Sequence, residues 1–213
     1  QDLYYILQAG ATGYAGDLQE KTLYPKVMNI AWSVGLGYEL SNHFFLHAIY
    51  TNGKVNGNDL YNPKNNNRNL SFESKLHEYS LQLEYDILDH NRFIATPFLL
   101  GGIAIFHFDP YTSRSNHKFY LRNYSTEGQG FYPGREKYKL TQLSIPFGGG
   151  INFSVGNSYL GVSFTIRKLF TDYLDDVSTT YVSRASLVSN VGTDAVGLAF
   201  RGEGEYPAEG AVR

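Results

Sequence analysis

Cysteine is absent from the 213-residue sequence, and methionine and tryptophan occur once each. Without cysteine the protein has neither disulfide bonds nor a thiolate metal site, and cysteine usage gives no information about its redox compartment. An excess of one charge is also lacking, because 18 basic and 20 acidic side chains leave a net charge of −2. The basic surface that nucleic-acid binding requires is therefore not expected.

Long apolar runs are missing as well. The best segment, Ile94–Phe108, has 15 residues and contains Pro97 and His107, whereas a transmembrane helix needs about 20 apolar residues. The start of the chain shows no signal-peptide pattern, which fits a cytoplasmic protein or a mature exported one. Because the first residue is Gln1 rather than methionine, we expect an exported protein whose signal peptide has been removed.

Tyrosine and glycine are abundant instead, a combination typical of all-β proteins with many turns. Apolar residues alternate with polar or small ones most clearly in Ile30–Leu40, His77–Ile87 and Leu160–Arg167. A period of two over so many residues predicts β-strands with one apolar face. Weaker alternation predicts four more strands, at Leu3–Ala11, His43–Thr51, Thr96–Phe108 and Leu143–Val155.

Two prolines fall inside the weaker strand predictions. Pro97 and Pro146 cannot donate a hydrogen bond to a neighbouring strand, so we expect both near strand ends or bulges. The glycine cluster at Gly148–Gly150 is expected to allow tight curvature of the sheet.

The connections between the predicted strands alternate in length. Three are short, at Ser41–Asn42, Leu88–Arg92 and Gly156–Ser158, and four are long, at 12–29, 52–75, 109–142 and after 170. Short periplasmic turns and long extracellular loops are typical of a transmembrane β-barrel, whereas a soluble β-sandwich has no reason to sort its loops by length. We therefore predict an all-β fold, a small antiparallel transmembrane β-barrel that forms one domain over residues 1–213.

The number of strands raises a question about closure of the barrel. Single-chain bacterial barrels have an even number of strands, so an eighth strand is expected besides the seven predicted. The segment Ala199–Arg213 is rich in glycine and glutamate and does not have a strand pattern. Either a strand has been missed or the sequence stops before its closing strand, and we favour the second explanation.

Three segments, Phe98–Pro110, Ser144–Gly150 and Phe170–Val182, resemble the DUF6089 family of Bacteroidota, and the string TDYLDDVSTTYV is quite specific. This family includes PorG, the outer-membrane β-barrel subunit of the type IX secretion system. Its members usually end with a Gly-Asn-Pro turn and a final aromatic strand, and this sequence has neither.

The resemblance implies a non-enzymatic accessory or anchoring subunit in the outer membrane of a Gram-negative bacterium. The implied partners are outer-membrane lipid, lipopolysaccharide and subunits of an envelope complex, such as the lipoprotein of the secretion ring. Relatives are not all secretion components, so an accessory role in another assembly, such as the barrel-assembly machinery, stays open.

The family motif supplies a first candidate site, which we call the lid and expect at the extracellular rim of the barrel. The lid consists of Asp172, Tyr173, Leu174, Asp175, Asp176, Val177 and Ser178. Clustered carboxylates can bind Ca²⁺, but the spacing of an EF-hand is absent. We expect instead that Asp172 and Asp175 cap backbone donors. The apolar lid residues and Tyr181 are expected to pack against the 109–142 loop.

A second candidate site is a polar network inside the barrel. Its members are Glu39, Glu78, Gln82, Glu84 and Arg167. Enzymes built on small outer-membrane barrels use a serine or histidine beside a carboxylate, and the spacing here assembles no such set, even with His47. We therefore expect paired internal charges, with no catalytic residue, metal or other cofactor. A passive pore or ligand-binding barrel is the remaining alternative, and this bulky polar set argues against conduction.

The long loops carry further polar and aromatic residues. Asn62–Asn69 and Ser113–Lys139 are mildly basic and could contact lipopolysaccharide phosphates or a protein partner. The 109–142 connection exceeds the length of an ordinary loop, which favours a functional role for it.

Overall fold

The computed structural model describes residues 2–19, 27–62 and 64–213, and these ranges contain nine strands and three short α-helices. The strands are β1 (Leu3–Thr12), β2 (Asn29–Ser41), β3 (Phe44–Asn58), β4 (Ser71–Asp86), β5 (Ala95–Phe108), β6 (Tyr111–Arg114), β7 (His117–Tyr120), β8 (Thr141–Val155) and β9 (Ser158–Leu169). The helices are α1 (Leu121–Tyr124), α2 (Arg184–Asn190) and α3 (Thr193–Ala199).

Seven strands form one curved antiparallel sheet in the order β1-β2-β3-β4-β5-β8-β9. They correspond to the seven predicted segments, so the prediction of an all-β barrel fold is confirmed. The sheet curls into a half-barrel. Among the described residues, β1 and β9 each pair with a single strand. These two edges face each other across an opening, where the rings of Tyr4 and Tyr159 lie 6.4 Å apart.

Short turns and long loops lie at opposite ends of the sheet, which we call the turn end and the loop end. The turn end holds the connections at 42–43, 87–94 and 156–157, and all other connections lie at the loop end. Gly156 has φ +60°, whereas Asn157 is not among the residues with positive φ. This combination fits a type II′ hairpin turn, in which the first central position requires the conformational freedom of glycine.

The polarity of the two sheet faces inverts along β3 and β4. In the half of β4 that leads to the turn end, Leu83 points outward and is 44% exposed, while its neighbour Gln82 is buried inside the barrel. Near the loop end Lys75 points outward, whereas Val55 and Phe72 point inward and are buried. The same continuous strands therefore have an apolar outer face in one part and a polar outer face in the other.

This inversion explains why β3 and β4 are longer than predicted. The sequence pattern placed the end of the third strand at Thr51 and the start of the fourth at His77, but β3 continues to Asn58 and β4 begins at Ser71. Pairing continues without interruption from Thr51↔Glu78 to Asn58↔Ser71. The phase of the apolar alternation reverses in this region, so the pattern alone does not identify it as a continuation of the same strand.

The two prolines occupy different kinds of position. Pro97 is the third residue of β5, near its start as expected. Pro146 lies inside β8, so its expected place near a strand end or bulge is wrong. Pairing between β5 and β8 is interrupted beside Pro146, between Gly101↔Phe147 and Ala104↔Ser144, without a change of register. The missing N–H is therefore accommodated by a local gap in the ladder.

The interior of the half-barrel has two layers. Towards the turn end the inward side chains are mostly polar, and towards the loop end they join an apolar core. The buried members of this core are Tyr14, Leu18, Val55, Leu70, Phe72, Phe106, Phe108, Leu121, Tyr138, Leu174, Val177 and Leu198. No helix within the described ranges is long and apolar enough to cross a membrane.

Candidate functional site

The loop-end segments fold over the sheet and form what we call the cap, which consists of residues 13–19, 59–62, 64–70, 109–140 and 170–213. Leu174 and Val177 of the lid are buried in its apolar core, against Leu121 and Tyr138 from the 109–142 loop. Tyr173 stacks on Tyr138, with ring centroids 4.8 Å apart. The expected packing of the apolar lid residues against this loop is thus present in the structure.

The lid begins with a single 3₁₀ turn, Tyr173–Asp175. Asp176 ends this turn in the left-handed conformation, with φ +65°, and its backbone N–H donates to the carbonyl oxygen of Tyr173 at 3.2 Å. Aspartate and asparagine tolerate this conformation better than most residues, which suits Asp176 to the position. The bend turns the side chains of Asp175 and Asp176 into the cap, where both are buried.

Asp175 connects the lid to the segment that follows β1. Its Oδ1 accepts a hydrogen bond from the backbone N–H of Val177 at 3.1 Å, the capping role expected for it. Its Oδ2 accepts a hydrogen bond from the hydroxyl of Tyr14. Burial raises the pKa of Asp175 to about 7, and burial together with the nearby Asp175 also raises the pKa of Tyr14.

Asp172 has a different role from the one expected. It is exposed at the start of the 3₁₀ turn and makes no capping hydrogen bond with its side chain. Instead Ser178 Oγ donates to Asp172 Oδ2 at 3.1 Å, which joins the two ends of the lid. The prediction that Asp172 caps a backbone donor is therefore wrong, because Asp172 has αR backbone angles and the Ser178 hydroxyl is within reach.

A buried group of charges lies behind the lid. Asp176, Glu127 and Arg213 have exposed fractions of 0%, 0% and 6%. Arg213 Nη1 lies 3.5 Å from Glu127 Oε1 and 3.7 Å from Asp176 Oδ2, and donates to the Asp176 carbonyl oxygen at 2.9 Å. Burial raises the pKa of Asp176 to about 6, and the positive charge of Arg213 opposes this shift. We call these three side chains the cap triad.

Glu127, in the 109–142 loop, forms hydrogen bonds with the end of the lid. Its carboxylate accepts hydrogen bonds from the backbone N–H of Ser178 at 3.0 Å and of Thr179 at 3.1 Å. The Thr179 hydroxyl donates to the same carboxylate at 2.6 Å. On the other side of the triad, Asp176 accepts hydrogen bonds from Tyr138, at 2.8 Å, and from Thr126. The sequence did not indicate Glu127 or Arg213, since no local pattern marks contacts between residues so far apart.

Tyr181 packs differently from the other lid neighbours. Its ring contacts Phe200, with centroids 6.3 Å apart, and Tyr206, with centroids 5.6 Å apart. The expected contact with the 109–142 loop is made instead by the next residue, Val182, which lies in a small core with Phe131 and Tyr132. The chain folds into α2 and α3 after this point, which brings Phe200 and Tyr206 of the C-terminal segment against Tyr181.

The predicted polar residues of the lumen form separate groups rather than one network. Arg167 Nε donates to both carboxylate oxygens of Glu78, at 3.0 and 2.9 Å. Gln82 Nε2 donates to Ser80 Oγ at 2.8 Å. The other two members, Glu84 and Glu39, lie nearer the turn end. The Asn152 side-chain amide donates to Glu84 at 2.9 Å, and Glu39 lies 3.9 Å from His90 Nε2.

Calcium binding is the alternative role for the lid carboxylates. Within the part of the chain that the structure describes, no three histidine, cysteine, aspartate or glutamate side chains are grouped so that they could hold a metal ion. The buried carboxylates of Asp175 and Asp176 accept hydrogen bonds from the hydroxyl groups of Tyr14, Thr126 and Tyr138, and Asp176 Oδ2 lies 3.7 Å from the guanidinium of Arg213. The lid carboxylates therefore hold separate chain segments together through hydrogen bonds and charge.

Comparison with known proteins assigns the chain to a family. The model of a family described as a domain of unknown function, DUF6089, matches residues 5–189. The chain belongs to the DUF6089 family. No curated protein and no solved structure matches it.

The match to DUF6089 relates directly to the geometry of the cap. The matched residues include almost all of the half-barrel, the lid and nearly all of α2. They also include Tyr14, Glu127 and Asp176, whereas Arg213 lies beyond the match. In this DUF6089 protein, the cation of the cap triad is therefore supplied from outside the part that the family model describes.

The raised pKa of Asp175 predicts that the lid is more stable in mild acid. A carboxyl group that binds its proton more tightly in the folded state stabilises that state most at low pH, and this contribution is lost as the pH rises. For Asp175 the loss extends from about 4, the ordinary value for aspartate, to about 7. After correction for intrinsic exchange rates, amide hydrogen exchange in residues 173–179 should be slower at pH 5 than at pH 8.

Two substitutions test this assignment. Asp175→Asn mimics the protonated side chain and should reduce the pH dependence, whereas Asp172→Asn, at the exposed end of the lid, should leave it unchanged. An unaltered pH dependence in Asp175→Asn would show that another group is responsible.

Proposed function

We propose that this DUF6089 protein is an outer-membrane β-barrel of a Gram-negative bacterium that serves as a non-enzymatic anchoring or accessory subunit of a larger envelope complex. The first candidate complex is the type IX secretion system. The lid motif resembles DUF6089, and this family includes a barrel subunit of that system. The observation that carries the proposal is the polarity inversion along β3 and β4. A sheet that is apolar outside in one zone and polar outside in the next fits a wall that leaves a membrane.

The apolar zone has the height that a bilayer requires. On β2 the outward side chains are apolar from Ile30 to Leu40, and each of them is at least 39% exposed. Ten residue steps at ~3.3 Å span ~33 Å along a strand, and a tilt of about 40° reduces this to a height of ~25 Å. The outer apolar band of membrane β-barrels is about 25 Å tall.

Aromatic side chains border this zone on the outer surface. Towards the loop end Trp32, Tyr50 and Tyr79 form a row, with ring centroids 5.7 and 5.0 Å apart. Towards the turn end the rings of Phe44 and Tyr85 lie 5.0 Å apart. Tyrosine and tryptophan collect at both interfaces of membrane barrels, because one end of each side chain is apolar and the other is polar.

The interior favours anchoring over conduction. β4 and β9 are separated by β5 and β8 in the sheet, so the ion pair between Glu78 and Arg167 crosses the lumen. The hydrogen bond from Asn152 to Glu84 likewise joins β8 to β4 across β5. The apolar core of the cap then covers the loop end. A lumen filled by side chains in this way suits a small barrel whose role lies in its surfaces and not in a channel.

The β6–β7 hairpin offers a contact for lipopolysaccharide. Arg114, His117 and Lys118 are exposed on it, and the Lys118 ammonium lies 4.6 Å from the centre of the Tyr111 ring. We place this hairpin on the extracellular side, where phosphate groups of lipopolysaccharide would meet its cations. The turn end then faces the periplasm, where the partner subunits of a secretion ring lie.

Two single-cysteine variants test location and role together, since the natural sequence has no cysteine. Asn116→Cys lies at the exposed tip of the β6–β7 hairpin, and Asn157→Cys lies in the β8–β9 turn. An impermeant maleimide should label the first variant on intact cells and the second only after the outer membrane is permeabilised. The reverse pattern would refute the orientation.

The same turn-end cysteine tests the anchoring role. With a maleimide photo-crosslinker attached at Asn157→Cys, irradiation of native membranes should give a discrete crosslink to one envelope protein, identified by mass spectrometry. The same reagent at the outward position Leu83→Cys serves as the control and should give no protein adduct. Absence of any protein adduct from the turn end, in a correctly oriented barrel, would exclude a stable periplasmic partner near this turn.

A further inference from the structure

Three carboxylates gather inside the half-barrel near its turn end. Asp86 and Glu84 come from the last residues of β4, and Glu39 comes from the end of β2. Asp86 is 2% exposed and Glu84 is 7% exposed, and the side chain of Glu39 is 19% exposed. Carboxylates removed from water to this degree require donors or opposite charges, because burial of an unpaired charge is unfavourable.

These carboxylates differ in how well they are paired. Glu84 accepts a hydrogen bond from Asn152 at 2.9 Å and lies 3.8 Å from His47 Nδ1. Asp86 has the weakest pairing, because its buried Oδ1 has no hydrogen-bond partner among the described residues. Its other oxygen lies 3.9 Å from His90 Nδ1, beyond hydrogen-bond distance.

His90 does not supply the missing donor. Its Nδ1 lies 2.9 Å from the carbonyl oxygen of Asn42, and a carbonyl only accepts, so the Nδ1 proton is directed to Asn42. The Nε2 of the same ring lies 3.9 Å from Glu39 Oε1, also too far for a hydrogen bond. The aspartate therefore faces an imidazole whose nearer nitrogen already donates elsewhere.

Lysine and arginine are also missing from this group. Across the described ranges, none of the ion pairs made by a lysine or arginine involves Asp86, Glu84 or Glu39. Arg167 is paired with Glu78. Arg92, in the neighbouring turn, has a side chain that is 80% exposed and pairs with Asp89. Within the described part of the chain, Asp86, Glu84 and Glu39 thus have no lysine or arginine partner.

Aromatic rings from the two open edges of the sheet, β1 and β9, complete the surroundings of these carboxylates. Tyr4 of β1 and Tyr159 of β9 approach within 6.4 Å, and His90 lies 5.8 Å from Tyr159. Tyr4 also shares a hydrogen bond with His47 at 2.8 Å, which fixes its ring inside the barrel. A guanidinium or ammonium group pairs with carboxylates and also binds to aromatic rings, so a site that contains both kinds of group suits such a cation.

We propose that Asp86, with Glu84 and Glu39, forms a binding site for one cationic side chain, arginine or lysine, which enters between β9 and β1 at the turn end. Arginine fits the site better than lysine, since its planar fork can donate to Asp86 and a second carboxylate at the same time. The cation can arrive on a strand that pairs with the open edges, or as a side chain that enters without strand pairing. The chemistry of the site is the same in both cases.

Binding to the purified full chain in detergent micelles tests the proposal. The probes are two octapeptides of alternating threonine and valine, one with a central arginine and one with glutamine in its place, together with N-acetyl-arginine amide. The arginine peptide should bind at least tenfold more tightly than the glutamine peptide. Asp86→Asn should remove this preference, and Asp89→Asn, in the adjacent turn, should retain it.

The free amide distinguishes how the cation arrives. If it binds with the same dependence on Asp86 as the peptide, the side chain alone is sufficient, and if only the peptide binds, strand pairing is required. Without any probe, Asp86→Asn should raise the melting temperature, because it removes an unpaired buried carboxylate. Equal binding of both peptides to the natural sequence would overturn the proposal, and so would an arginine preference that persists in Asp86→Asn.

Discussion

Replacing Arg213 by methionine should destabilise the cap by about 3–5 kcal/mol, the usual effect of removing one partner from a buried ion pair. The substitution leaves Glu127 and Asp176, both fully buried, without their cation. It also removes the donors to Thr126 Oγ1 and to the Asp176 carbonyl oxygen. Hydrogen exchange measured by mass spectrometry should show faster exchange in 121–140 and 171–182, with little change in β2 and β3.

A rescue variant separates lost charge pairing from lost packing. When a buried ionic group is replaced as a whole by well-packed apolar residues of similar size, the stability cost is often small, whereas removal of one member alone leaves uncompensated buried charges. Arg213→Met combined with Glu127→Gln and Asp176→Asn should therefore recover part of the lost protection, because each side-chain amide keeps one of the two oxygens that accept hydrogen bonds. Arg184→Met, an exposed arginine at the start of α2, is the matched control and should have no effect. Recovery of no protection at all in the triple variant would contradict the account in which Arg213 acts by pairing its charge with Glu127 and Asp176.

Placing arginine at Leu83 should destabilise the barrel in lipid by about 2–4 kcal/mol, the cost of a cation on the lipid face at the bilayer midplane. Leu83 points outward, 44% exposed, in the middle of the apolar zone. The adjacent Gln82 points into the lumen between Glu78 and Glu84, so Gln82→Arg gains carboxylate neighbours and should be tolerated. Urea unfolding in lipid vesicles measures both variants under the same conditions.

A soluble protein with the same fold would give a different result. If water covered the outer face, Leu83→Arg would be nearly neutral, whereas the effect of Gln82→Arg would stay the same, because Gln82 points into the lumen in both cases. Equal tolerance of both substitutions would contradict the assignment of the two faces. Leu83 and Gln82 are adjacent in the sequence, so comparison of the two substitutions distinguishes a membrane-spanning sheet from a soluble one.

The sequence predicted the sheet well where the chemical environment of each face stays the same along the strand. All seven long strands and the three short turns follow from alternation that keeps one phase over 8 to 13 residues. The extensions of β3 beyond Thr51 and of β4 before His77 were missed, because there the outer face meets water and the inner face meets the cap core. Alternation is still present in these extensions, but its phase is reversed.

The cap could be predicted much less completely. The lid motif and its packing on the 109–142 loop were expected, yet Tyr14 lies 161 residues before its partner Asp175, and Arg213 lies 37 residues after Asp176. No periodicity or spacing connects such distant residues, and their pairing becomes visible only after the sheet has brought the loops together. Polar groups of the lumen were identified individually, but their partners on other strands depend on the register and curvature of the sheet.

The most direct test of the membrane assignment uses the single tryptophan of the chain. Trp32 points outward on β2, 46% exposed, in the aromatic row beside Tyr50. In vesicles that contain lipids brominated near the headgroup, its fluorescence should be strongly quenched, while iodide in the aqueous phase should have little effect. Quenching by iodide without quenching by the brominated lipids would contradict the central claim that the outer face of this sheet contacts a bilayer.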